Sequence, residues 1–225
     1  MRPQPDLAES YEISRDGKTA TFKLRRGVTF HNGKEMTSAD IVASLRRFTT
    51  LANRGKVIAG RMEDIKAPDK HTVVMTFKQP TGRLPLFLAM GEGIMMPEEI
   101  ATKYLKEQLK EYVGTGPFKF VEFKANESIK LVKNTDYWKK GLPYLDGIEY
   151  TILPNRSTAI LGFVAGKFDI TFPTEVSIPL LKDVKAQKPD AVCEARPTNV
   201  SSNILINRDK PPFNNPELRR AMALS

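Results

Sequence analysis

Apolar and polar positions alternate with a period of two at the start of the chain. Tyr11 and Ile13 lead into Ser14-Arg15-Asp16-Gly17-Lys18, and Ala20, Phe22 and Leu24 then alternate with Thr21, Lys23 and Arg25. This is the signature of a β-hairpin closed by an Asp-Gly turn, with one apolar face. Val28 and Phe30 continue the pattern up to a turn at His31-Asn32-Gly33-Lys34. The period then changes. Ile41, Leu45 and Phe48 stand at helical spacing behind Thr37-Ser38-Ala39-Asp40, where Thr37 is placed to cap a free N–H and Asp40 sits at the acidic third position. A second strand pair is predicted around Pro68-Asp69-Lys70, with Met62 and Ile65 before it and Val73, Met75 and Phe77 after it.

Further on, Leu84 to Ala89 reads as a short apolar helix, and Pro97-Glu98-Glu99 opens another that runs toward Gly114. Gly114-Thr115-Gly116-Pro117 is a tight turn feeding a hairpin, Phe118 to Phe123 and Ser128 to Lys133, and Ile148, Tyr150 and Ile152 alternate as a strand. Ser157 is placed to cap a helix through Ile160, Leu161 and Val164 that Gly166 terminates. A short strand is expected at Phe168-Asp169-Ile170, a helix at Ile178, Leu181 and Val184, and strands at Ala191 to Arg196 and Ser202 to Asn207. The last helix starts at Asn215-Pro216-Glu217, and its pattern still runs at Ser225 without a terminator, so the chain is expected to continue further. Strands and helices mixed in irregular order predict an α/β or mixed α+β fold.

Composition narrows the function. Of 225 residues, 40% are hydrophobic, enough for a core, and no apolar run approaches the 18 residues that a membrane-spanning helix needs. Met1-Arg2-Pro3-Gln4-Pro5-Asp6 has no apolar stretch behind it and is not a signal peptide as it stands. The net charge of +9 is spread among residues of alternating sign, with no basic stripe interleaved with aromatics, so no nucleic-acid partner is expected. The lone Cys193 forms no internal disulfide and reads as a buried thiol on a strand.

Catalytic signals are missing. His31 and His71 lie in separate turns without a second ligand at i+3 or i+4, so no metal is expected, and His31 reads as a turn residue. There is no Gly-x-Ser-x-Gly elbow. Gly114-Thr115-Gly116 lacks the rest of a nucleotide loop, and Pro117 removes an N–H where a phosphate cradle would want one. The chain is read as a non-enzyme without a cofactor.

Several segments carry a resemblance. They are Pro5-Asp6-Leu7-Ala8-Glu9-Ser10-Tyr11, Asp16-Gly17-Lys18-Thr19, Phe22 to Lys34, Thr37 to Val42, Gly114 to Phe118, Asn134-Thr135-Asp136-Tyr137-Trp138, Tyr144 to Ile148, Gly166 to Ile170, and Pro211-Pro212-Phe213 with Glu217 to Ala221. In this order they resemble the bacterial ABC-transporter solute-binding proteins of family 5, which serve dipeptide, oligopeptide and nickel uptake. The resemblance implies a periplasmic or otherwise extracytoplasmic protein, expected as a monomer, that captures a peptide or similar small solute between two lobes and hands it to ABC permease subunits. It implies a type II-like periplasmic-binding-protein lobe with an extra hairpin-and-helix subdomain. Residues 1–113 would form the extra subdomain, 114–200 part of the first lobe, and 201–225 the crossover toward a second lobe, so the chain reads as truncated at both ends. Non-peptide ligands (a nickel complex, haem, an opine, an oligosaccharide) and an interaction module remain alternatives.

Ligands in such clefts meet loops at strand ends. Three segments fit by position: Gly91 to Met96, with Glu92 and Met95 as contacts; Phe172 to Glu175, with Thr174 and Glu175; and the crossover Asn199 to Asn203, with Asn199, Ser201, Ser202 and Asn203. Each has a plainer reading. Thr174 equally serves as a helix cap, the crossover polar groups equally satisfy backbone, and Met95 and Met96 equally fill core. Trp138 reads as a scaffold anchor.

Overall fold

The opening hairpin forms as its alternation predicts. In the computed structural model, which describes residues 4–82, 84–89, 91–172, 176–194 and 204–224, β1 (Ala8–Ile13) pairs antiparallel with β2 (Thr19–Leu24), with Tyr11 opposite Phe22. Gly17 takes φ +69° in the turn, where its N–H donates to the Ser14 carbonyl at 2.8 Å. Strands β3 (Met62–Asp69) and β4 (Thr72–Phe77) complete a four-stranded antiparallel sheet of order β1-β2-β4-β3. Val28 and Phe30 are buried, but their segment makes only an isolated bridge, Thr29 to Glu35, and is not a strand.

Helix α1 (Ser38–Leu51) lays Ile41, Leu45 and Phe48 into the core against Leu24, Ile65, Val73 and Met75. Full burial of such side chains contributes about 1.5–3 kcal/mol each. Helix α2 (Asn53–Ala59) follows at once, and α3 (Leu84–Leu88) seals one side with Leu84. Helix α4 (Glu98–Lys103) is shorter than predicted. It ends at Tyr104 because Arg47 of α1 takes over the next carbonyls, donating to Tyr104 O at 2.9 Å and Glu107 O at 2.8 Å.

A second antiparallel sheet, of order β5-β6-β7, is built from β5 (Phe118–Lys124), β6 (Ser128–Lys133) and β7 (Gly147–Thr151). The Gly116 carbonyl joins it to the first sheet. It accepts from Asn134 Nδ2 at 3.0 Å and lies 3.0 Å from His31 Nε2, while His31 Nδ1 accepts the Gly114 N–H at 3.3 Å. His31 is thus a structural turn residue. Trp138 packs on the first core under Arg25 and Lys139, 5.0 and 4.6 Å from the ring centroid.

By contacts the chain divides into two compact units, Met1–Pro154 and Asn155–Ser225. The second contains α5 (Arg156–Val164), α6 (Ile178–Gln187) and α7 (Pro216–Leu224), with a small core of Ile160, Val184 and Ala191. The cap of α5 is Asn155, whose side chain accepts from the Ser157 and Thr158 N–H groups; Ser157 lies inside the helix. Gly166, at φ +76°, terminates it as predicted. Residues 168–170 are not a strand, and 191–194 and 204–207 are irregular; the remainder of those two predicted strands falls outside the described residues. Cys193 is half-buried against the small core rather than fully buried. Both sheets are antiparallel, and strands and helices follow one another in irregular order, so the architecture is mixed α+β.

The buried carboxylate of Asp40 holds the first unit's loops to α1. Its Oδ2 accepts the Thr37 N–H and hydroxyl at 2.8 and 2.9 Å, and its Oδ1 accepts the Glu98 N–H at 2.8 Å and the Lys34 ammonium at 2.7 Å. Thr37 therefore spends its proton on Asp40. Burial pushes this carboxyl up, but Lys34, Glu98 and Thr37 together bring it below its ordinary value of 3.8. A folded pKa below the unfolded one stabilises above pH 3.8, and that stability is lost as pH falls through the folded value. Asp40→Asn turns an amide toward a donor and should cost about 1–3 kcal/mol at pH 7. Urea denaturation should show the deficit shrinking below pH 3.8; a deficit independent of pH would contradict the ionised carboxylate.

Candidate functional site

The loop from Gly91 to Met96 is irregular, yet it is fastened at three points. Glu92 pairs with Arg54 of α2 at 3.1 Å. The Ser44 hydroxyl of α1 donates to the Met96 carbonyl and accepts the Met96 N–H, both at 3.0 Å. Two residues later the Glu98 N–H is held by Asp40. The Glu92–Arg54 pair is exposed and adds little energy. The Ser44 pair is buried, and it satisfies both backbone groups of a residue outside regular structure.

Fastened in this way, the loop closes one side of a cavity of about 390 Å³. Gly91, Gly93 and Met95 meet Leu88 and Ala89 of the α3 region on that side. The lining also includes the N-terminal segment Gln4 to Leu7 and the β1 residues Ala8, Ser10 and Tyr11. The floor is core: Leu24, Ile41, Leu45 and Val73. Tyr11 and Phe22 place their rings 6.1 Å apart in the wall. Polar groups are few, namely Gln4, Asp6, Ser10 and the Tyr11 hydroxyl, and Asp6 is engaged by Lys139 at 2.7 Å. A cavity of this size with an apolar lining and a few polar groups has the character of a small-molecule site. Among the described residues no group of three His, Cys, Asp or Glu side chains is placed to hold a metal ion.

Of the sequence candidates, Met95 lines this cavity, and Met96 is core. Glu92 is not in the lining and holds the loop through Arg54. Thr174, Glu175, Asn199, Ser201, Ser202 and Asn203 lie outside the described residues. Phe172, which precedes one of these segments, is exposed. Sequence reasoning missed Leu7, Tyr11, Phe22 and Leu88 as cavity residues, because the period that marks a core face also marks the wall of a cavity opening into it.

The sequence profile described as "Bacterial extracellular solute-binding proteins, family 5 Middle" matches residues 2–225. The chain belongs to this family. It is 33% identical over 219 residues to a glutathione-binding protein of Pectobacterium atrosepticum, covering 96% of this chain and 42% of that protein. It is 30% identical over 236 residues to a probable peptide ABC transporter periplasmic-binding protein of Sinorhizobium fredii, covering 98% and 44%. Among solved structures, that of the A. tumefaciens R10 binding protein MoaA with mannopinic acid superposes with a TM-score of 0.81 at 28% identity, over 98% of this chain and 45% of that one. The chain thus spans less than half the length of the curated relatives it matches. The lobe architecture is that of periplasmic binding proteins of the type II-like kind.

Ser44→Ala leaves the buried Met96 N–H and carbonyl without their partner, at a cost of about 1–3 kcal/mol. Hydrogen exchange at the Met96 amide should accelerate together with the amides of the Gly91 to Met95 loop, while those of β4 keep their protection. Unchanged exchange at Met96 would show that the serine does not hold the loop.

Proposed function

We propose that the chain belongs to the solute-binding component of an ABC uptake transporter, which captures peptides or similar small solutes outside the cytoplasm and delivers them to membrane permease subunits. The observation that carries this reading is the family match over residues 2–225. The names of the relatives, glutathione-binding and peptide-binding, point to short peptides as the solute class. The work is capture, without catalysis and without a cofactor: ligand settles on one lobe and closure of a hinge buries it.

Within this reading the cavity beside the 91–96 loop takes an apolar side chain of the ligand. Met95, unbranched and adaptable, accommodates side chains of different shape. Glu92, Thr174, Glu175, Asn199, Ser201, Ser202 and Asn203 are proposed as polar contacts nearer the cleft. The subdomain division at 113/114 is supported by the sheets, since all strands of the first end by Phe77 and those of the second begin at Phe118. Residues 114–200 are proposed as part of the first lobe and 201–225 as the crossover.

One wall of a cleft binds weakly, because much of the ligand surface stays in water. Calorimetric titration of this chain with glutathione, mannopinic acid and tripeptides bearing an apolar side chain should therefore give a Kd of about 0.1–1 mM for at least one of them. Leu88→Trp, which fills the cavity, should weaken that binding at least about tenfold. Saturation by none of these ligands, or equal binding by the Leu88→Trp variant, would sink the proposal.

A further inference from the structure

Around the β3–β4 turn a second cleft, of about 300 Å³, is lined by Glu9, Lys23, Leu24, Arg26, Asp69, Lys70, His71 and Thr72. It lies wholly within the first unit and shares only Leu24 with the apolar cavity. One side-chain atom in it is anomalous. His71 Nδ1 is buried and has no hydrogen-bond partner. The backbone of His71 is fully committed: its N–H donates to Asp69 Oδ1 at 2.8 Å and its carbonyl accepts the Leu24 N–H at 2.8 Å. The ring nitrogen thus stands alone, and a buried polar atom without a partner costs about 1–3 kcal/mol.

The cations around it differ in how far they are engaged. Lys70 is paired with Glu35 at 2.6 Å. Lys23 spends one proton on Thr72 Oγ1 at 2.9 Å and keeps two donors. Arg26 has neither a hydrogen bond nor an ion pair among the described residues. An unpaired guanidinium fork, a lysine with spare donors and an imidazole nitrogen without a partner line the same cleft. Glu9 and Asp69 stand in the same cleft and offset part of its positive charge, which disfavours polyanions such as nucleic acid.

We propose that this cleft is a binding site for a small oxyanion, a carboxylate or a phosphate, held by the Arg26 guanidinium, the Lys23 ammonium and His71 Nδ1–H. The oxyanion supplies the acceptor that His71 lacks. It also ties the β3–β4 turn to the segment after β2.

The test uses ring signals, because the chain has only two histidines. The 225-residue chain is titrated with sodium acetate and, separately, with inorganic phosphate, at constant pH and ionic strength, while the ¹H–¹⁵N ring correlations of His31 and His71 are followed. A saturable shift at His71 without one at His31 is expected for at least one anion, and the two arms separate carboxylate from phosphate. Arg26→Gln should weaken that binding at least about tenfold. Arg15→Gln, an exposed arginine at the β1–β2 turn, should leave it unchanged. Drift of both histidines without saturation in both arms would overturn the proposal. So would equal affinity in Arg26→Gln, or equal weakening in Arg15→Gln.

Discussion

A carboxylate shut away from water must be fully hydrogen-bonded, and Asp40 meets that demand by recruiting four donors from three segments. Its partners are the Thr37 N–H and hydroxyl at the start of α1, Lys34 in the preceding turn, and the Glu98 N–H at the start of α4. Leaving any of these donors without the anion is unfavourable, so the three segments are fixed together. The consequence reaches the cavity. The loop whose Met95 lines it runs directly into α4, so the position of that loop depends on Asp40 and on Ser44, about one turn further along the same helix. Helix α1 therefore does two things: one stripe fills the core, and Asp40, Ser44 and Arg47 grip the segment from Met96 to Glu107.

The second constraint is the Gly116 carbonyl. Two side chains meet there, His31 from the turn after the first hairpin and Asn134 from the end of β6. This explains in physical terms why His-Asn-Gly, Gly-Thr-Gly-Pro and Asn-x-Asp-Tyr-Trp accompany one another in the sequence. They are parts of one junction between two sheets, and close to Asn134 in the chain Trp138 packs on the first core with Arg25 and Lys139 over its ring. None of the three is a chemical site. In this chain these three motifs hold the scaffold together.

That distinction decides what was legible. Period-two alternation marked the opening hairpin, β4 and β7, and the Ile41, Leu45, Phe48 spacing marked α1, because one buried face leaves a pattern in a short window. The extents that failed depend on partners far along the chain. Helix α4 stops early because Arg47, far back in the chain, takes the Tyr104 and Glu107 carbonyls just beyond its last residue. Val28 and Phe30 look like strand residues and are buried, but no neighbouring strand pairs with their backbone. Asn155 outcompetes Ser157 as the cap of α5 since its side chain reaches two N–H groups at once. At the candidate site, Met95 was legible as an adaptable residue on a loop. Leu7, Tyr11, Phe22 and Leu88 were not, since nothing local separates a cavity wall from a core face.

The central claim is that the apolar cavity beside the 91–96 loop receives part of a small solute. Methionine methyl groups report on it directly, for Met95 lines the cavity while Met36 and Met75 are fully buried in the core without lining it. With ¹³C-methyl methionine labelling, titration with an apolar tripeptide should shift the Met95 methyl resonance saturably and leave those of Met36 and Met75 in place. Saturable binding that leaves the Met95 methyl unmoved would contradict the account.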